Sequence, residues 1–80
     1  MPFDADKLGE RLMLCRRRLG WTQRQLADAS GVRTVTVTRI ERGKMPHVSL
    51  EVVYRLAEAL GASLDALTGR GEDTGVTRQE

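Results

Sequence analysis

Eighty residues suffice for one small domain that buries about 60% of its unfolded surface, with little room for a second. With one cysteine and one histidine, the chain can form neither an internal disulfide, which fits a reducing compartment, nor a zinc site from its own ligands. The net charge of +2 divides unevenly: residues 1–48 hold ten Lys and Arg against five acids, net +5, and residues 49–80 hold three against six, net −3.

The first predicted helix runs from about Asp6 to Leu19, with Leu8, Leu12, Cys15 and Leu19 at helical spacing. Gly20 ends it just before Trp21. Cys15 reads as a small core hydrophobe and Trp21 as a core residue, whereas Met13 and Leu14 fall outside the apolar stripe, as a contact surface or as isolated exposed side chains. Arg16, Arg17 and Arg18 follow one another, so they spread around the helix and at most two share a surface.

A second helix has an unusually clear start. Thr22 can cap it while Gln25, three residues on, reaches back to the Thr22 backbone, a T-x-x-Q capping box. That places Gln23 and Arg24 in the first turn, beside open amide donors and the positive end of the helix dipole, where phosphate is favoured. Leu26 and Ala27 form the inner face, Ala27 without bulk where this helix and the next are expected to approach most closely. Gly31 stands where the reversal needs a residue that tolerates positive φ.

The next segment, RTVTVT, is β-branched and alternates with period two, so local propensity reads it as a strand. Two observations overrule that reading. Val37 and Ile40 lie three apart on a face continued by Glu41, with Val35, Arg39 and Arg42 pointing the other way, and a strand would leave the capped helix before it with no partner. Two helices joined by a short turn with steeply crossing inner faces make a helix-turn-helix unit, here Thr22 to Gly43, on the basic half of the chain. That charge gradient, at a sequence pI near 9.2, would turn the unit toward a polyanion such as DNA.

After a loop holding His47, Ser49 can cap a fourth helix with Glu51 in its first turn; its face runs through Leu50, Val53, Leu56, Ala57 and Leu60, and Gly61 stops it. A fifth, shorter helix follows Ser63, with Leu64 and Leu67 facing in. The remainder, GRGEDTGVTRQE, is polar and without periodicity, so residues 69–80 are expected to be a flexible tail on a 1–68 domain. The fold class expected is therefore all-α, a compact five-helix bundle. No stretch is long or apolar enough to span a membrane, and MPFDADK lacks the basic start and apolar core of a signal peptide, so a cytoplasmic protein is expected. There is no nucleophile, base and third group together, no phosphate-binding glycine loop and no carboxylate pair in a pocket-forming context, which argues against an enzyme; no cofactor is implied.

The unit resembles the phage-repressor and Cro type of helix-turn-helix protein, also called the xenobiotic-response-element family. The typical run T-Q-x-x-L-A-x-x-x-G-V-[ST]-x-x-x-I-[ST]-x-I-E-x-G finds Thr22, Gln23, Leu26, Ala27, Gly31, Val32, Val37, Thr38, Ile40, Glu41 and Gly43 in register, and LGERL before it and SLEVVYRLAEALGASLDAL after it extend the likeness to roughly residues 6–68. One departure is Arg33, where the family carries a Ser or Thr cap. It leaves Thr34 as the alternative cap, with a start one residue later.

The resemblance implies a lambda-repressor-like domain whose second motif helix, about residues 33–42, enters the major groove. Carried over by position, base contacts fall to Arg33, Thr34, Val35, Thr38 and Arg39. Phosphate contacts fall to Gln23, Arg24, Arg42, Lys44 and free amides around Gly43 to Met45. Arg16 and Glu41 are implied as a structural pair, expected to be partly buried. The function implied is a sequence-specific regulator of transcription, most simply a repressor that binds a palindromic operator in double-stranded DNA as a homodimer. Helix five with Leu64, Leu67 and Val76 is the candidate dimer surface. The alternative is an antitoxin or protein-interaction module, with a toxin or co-regulator as partner, that controls its own operon through the same unit.

Overall fold

A computed structural model describes residues 4–68, and within them the chain is all-helical: α1 (Ala5–Arg18), α2 (Gln23–Ser30), α3 (Thr34–Glu41), α4 (Leu50–Leu60) and α5 (Leu64–Thr68). The expected tail and the dimer candidate Val76 lie outside the described residues. Helix α1 packs on α3 and α5, α2 on α3 and α4, and α4 on α5. The five helices thus close around one core of Leu8, Leu12, Leu26, Val37, Ile40, Leu56 and Leu67, each 2% exposed or less, with five more apolar residues at its edge.

Asp4, which the sequence reading left out, caps α1 by accepting from the amides of Asp6 and Lys7. The buried face is Leu8, Gly9, Leu12 and Arg16, rotated from the expected stripe. Cys15 is half-buried, and Leu19 is 46% exposed because the helix has ended at Arg18 and Gly20, at φ +73°, turns the chain away. The rotation follows from what α1 packs against. Its inner face meets the last turn of α3, which presents backbone to Gly9 and a carboxylate to Arg16.

Helix α2 begins as its capping box requires: the Gln25 amide donates to Thr22 Oγ1 (3.1 Å) and the Thr22 amide to Gln25 Oε1 (2.7 Å). It ends at Gly31, whose φ of +76° is the conformation for which a glycine was expected. Ser30 tightens the turn, its hydroxyl donating to Ala27 O and accepting from the Val32 amide.

The alternating TVTVT segment is helical. Packing overrides its local preference, since Val37 and Ile40 are 0% and 1% exposed and a helix this short draws its stability from a buried face rather than from propensity. Arg33 holds the N-cap position with no side-chain hydrogen bond to the first turn, and Thr34 is the first helical residue. The later start that a Thr34 cap would impose is therefore not adopted. The chain reaches α3 from the Gly31 turn with Val32 already buried, which fixes where the helix begins.

Ser49 caps α4 as expected, accepting from the Val52 amide at 3.1 Å. Leu50 is 72% exposed instead of contributing to the core; it overhangs the free end of the helix and shares an exposed flank with Tyr54, also 53% exposed. In α5, Leu64 is half-buried and Leu67 is completely buried, so Leu67 belongs to the core of its own domain and offers nothing to a dimer partner.

Ala27 lies in this core, 5% exposed, on the helix that packs against both α3 and α4. Ala27→Leu should overpack that junction and cost roughly 1–3 kcal/mol of stability. Thermal unfolding is the check, and a variant as stable as the parent would mean that the neighbouring helices leave room there.

Candidate nucleic-acid interface

The interface is built outward from a buried ion pair. Arg16 on α1 donates to Glu41 at the end of α3 through Nε (2.7 Å to Oε2) and Nη2 (3.0 Å to Oε1), a two-pronged contact. The side chains are 10% and 2% exposed. Its third arm, Nη1, donates to the Trp21 carbonyl at 2.7 Å and so holds the turn between α1 and α2. The hydrogen bonds to Glu41 raise the Arg16 guanidinium above its ordinary range, against the opposing effect of burial, so it carries its charge at any pH the fold meets.

A second arm reaches Glu41 from α2. Gln23 Nε2 donates to Glu41 Oε1 at 2.9 Å, and Gln23 Oε1 accepts from the Thr38 hydroxyl at 2.8 Å. The polarity is forced: a carboxylate only accepts, so the amide nitrogen must face Glu41, leaving the amide oxygen for Thr38. A continuous chain therefore runs from Trp21 through Arg16, Glu41 and Gln23 to Thr38, tying α1 and α2 to Glu41 of α3. The family resemblance points Gln23 toward phosphate, yet its side chain is engaged at both ends. A phosphate contact through that side chain would compete with two internal hydrogen bonds.

The outward face of α3 is the free one. Arg33, Thr34, Val35, Arg39 and Arg42 are exposed, Val35 at 48%, while Thr36 and Thr38 are half-buried on opposite flanks. On helical geometry Val35, Arg39 and Arg42 lie together, directly opposite Val37 and Ile40. Of the expected phosphate contacts, Arg24, Arg42 and Lys44 are exposed. The expectation of free amides fails at Gly43 and Lys44, which donate to Ile40 O (3.0 Å) and Arg39 O (2.9 Å). Gly43, at φ +70°, closes the last turn of α3 on itself, with the Asp6 carboxylate against it.

Trp21 is half-buried against the core, Met13 is half-buried, and Leu14 is 58% exposed on the outer side of α1. His47 is exposed in its loop. Among the described residues no group of His, Cys, Asp and Glu is arranged to hold a metal ion. Sequence reasoning passed over Gly9 and Arg55. A glycine inside a helix carries no chemistry of its own to announce a packing role, and Arg55 stands on α4, outside the helix-turn-helix to which the motif directs attention.

A helix-turn-helix family model matches residues 12–67. Among solved structures, the chain is similar to the restriction-modification controller protein C.AhdI from Aeromonas hydrophila. Identity is 38% and the TM-score 0.76, over 80% of this chain and 96% of that one. It is similar at 33% identity to the clp gene regulator ClgR from C. glutamicum, with a TM-score of 0.74 and coverage of 96% and 100%. A hypothetical transcription factor, NHTF from Neisseria, matches at 28% identity and a TM-score of 0.77, over 81% of this chain and 74% of that one. No curated protein sequence matches the chain.

Proposed function

Because the chain belongs to the xenobiotic-response-element type of the helix-turn-helix family, whose members are DNA-binding transcriptional regulators, we propose that it is a sequence-specific repressor. It binds a palindromic operator as a cytoplasmic homodimer, with α3 and its N-cap in the major groove. The observation that carries this reading is the division of labour on α3: the inner face is buried, Thr38 is strapped to α2, and Val35, Arg39 and Arg42 form an open outer face. A helix so held presents side chains to base edges at little entropic cost, since most of its ordering is complete before binding.

The side chains on that face suit a base edge. Arg39 can make a two-pronged pair with guanine, and Val35 can pack on a thymine methyl. Thr38 keeps its methyl and an acceptor position for a base, its hydroxyl proton being committed to Gln23. Thr34 and Arg33 stand at the entering end of the helix. Arg24, Arg42 and Lys44 contact phosphates, which sets the register without reading sequence. Gln23 holds Thr38 in place, and any phosphate it meets comes second to that role.

Selection of bound duplexes from a random pool tests the reading. A recovered motif with two-fold symmetry, its halves about one helical turn apart, is expected of a dimer; recovery of no motif at all would mark the chain as a non-specific basic protein. On the selected site Arg39→Ala should lose about 1–3 kcal/mol while barely changing affinity for random DNA. Arg24→Ala and Lys44→Ala should weaken both alike. Equal losses for Arg39→Ala on both DNAs would move that arginine to the phosphate class.

A further inference from the structure

A cleft of about 240 Å³ lies between the turn that joins α2 to α3 and the first turns of α4. Arg33 and Thr36 bound it on the α3 side, and Glu51, Val52 and Arg55 on the α4 side. Arg55 is placed there by two neighbours: Nη2 pairs with Glu51 at 2.8 Å, and Nη1 lies 3.4 Å from where a Cβ on Gly31 would stand, so the guanidinium rests beside the turn. About half of the Arg55 side chain remains exposed. Two guanidinium groups and one carboxylate thus line a small cleft with a formal charge of +1, an arrangement that favours an anion.

The position of the cleft says which anion. Thr38 and Thr36 lie on opposite flanks of α3. The Thr38 flank is tied to Gln23 of α2, which precedes Arg24 in the chain, whereas the Thr36 flank opens into this cleft. A helix seated in the major groove has a row of phosphates on each side of it, one from each strand. Arg24 serves the first row, and the contacts carried over from the motif leave the second row to Arg42 and Lys44 at the far end of α3. We propose that the cleft receives a backbone phosphate of the second strand, with Arg55 as its principal ligand and Arg33 closing over it. This inference rests on α3 being the reading helix. It adds a residue outside the motif to the DNA contacts and moves Arg33 from base edge to phosphate. Arginine suits the task because its planar fork meets two phosphate oxygens at once, which a lysine cannot do.

The test is the salt dependence of binding to a random-sequence duplex, followed by fluorescence anisotropy between about 50 and 200 mM salt. Removing one phosphate contact lowers the slope of log affinity against log salt by about 0.9, so across that range the Arg55→Gln variant should lose roughly 3.5-fold less affinity than the parent. Glu51→Gln, which removes the carboxylate competing for the same cations, should tighten binding at low salt. Lys7→Gln removes an exposed positive charge from α1, which does not line the cleft, and should leave the slope where it is. An unchanged slope for Arg55→Gln, or an equal fall for Lys7→Gln, overturns the assignment of Arg55 while leaving α3 as the reading helix. A parent protein with no salt-dependent affinity for the duplex would overturn the DNA reading itself, and this inference with it.

Discussion

Glu41→Ala should lower the unfolding free energy by about 3–5 kcal/mol, the range for breaking a buried pair by removing one partner. Burial sets the size of this loss. The Glu41 side chain is 2% exposed and accepts from Arg16 Nε, Arg16 Nη2 and Gln23 Nε2, so the substitution strands a guanidinium that is itself only 10% exposed and leaves a half-buried amide without its acceptor. The partial burial expected from sequence would have given an intermediate cost; the structure moves the expectation to the upper range. Denaturant unfolding of the parent, Glu41→Ala, Arg16→Ala and the double variant isolates the coupling between the two groups. Coupling near zero would remove the pair from any account of this fold.

The same network separates stability from DNA reading. A buried ion pair replaced whole by apolar side chains of similar volume is often neutral or better for stability, so the double change Arg16→Met with Glu41→Leu should recover most of what Glu41→Ala loses. Affinity for the selected site should not recover with it. Without the carboxylate, Gln23 loses the anchor that fixes its amide, and the Thr38 hydroxyl is then held by a side chain free to turn. On this argument Glu41 acts on DNA through two intermediates, Gln23 and Thr38. A double variant that regained both stability and specific affinity would show that the strap has no part in recognition.

How much of this was legible in the sequence depended on whether the cause was local. Helix α2 could be read almost to the residue, because the Thr22 and Gln25 capping box and the left-handed Gly31 are local devices that act within a few residues of where they are written. Helix α3 could be read only by setting its β-branched alternation against the spacing of Val37 and Ile40, since its conformation is decided by the core it joins. The roles of Leu19 and Leu50 were misread for a common reason: each sits at a helix end, where apolar spacing continues beyond the reach of the core. Within the site, the outward face of α3 follows from periodicity alone. The Gln23 connection to Glu41 and Thr38 spans eighteen and fifteen residues and depends on how two helices cross, which no local pattern records.

Gly9 is the clearest case of a cause lying far off in sequence, and it sets a test in which the sign of the effect is the result. Glycine inside a helix normally costs roughly 1 kcal/mol relative to alanine, so Gly9→Ala on helix propensity alone should stabilise the protein. In this fold a Cβ at position 9 would press into the Ile40 carbonyl oxygen and stand 2.8 Å from the Glu41 carbonyl oxygen and 3.0 Å from the carbon bonded to it. All three atoms are backbone at the last turn of α3, so no side chain can swing aside and the two helices must part. Overpacking toward the upper end of its range, about 2–3 kcal/mol, outweighs the propensity gain of roughly 1 kcal/mol, so the expected outcome is a net loss of about 1–2 kcal/mol. Parting the helices also moves Glu41 relative to Arg16 and tilts α3, so on the proposed mode of binding affinity should fall more on a selected site than on random DNA. Gly20→Ala supplies the comparison: its φ of +73° strains an alanine, but nothing lies within 4 Å of the added Cβ, so it should cost only about 1 kcal/mol and leave specificity alone. A rise in the melting temperature of Gly9→Ala would mean that α1 and α3 do not meet at this glycine, and the angle of the reading helix would then have to be set by the Arg16 and Glu41 pair alone.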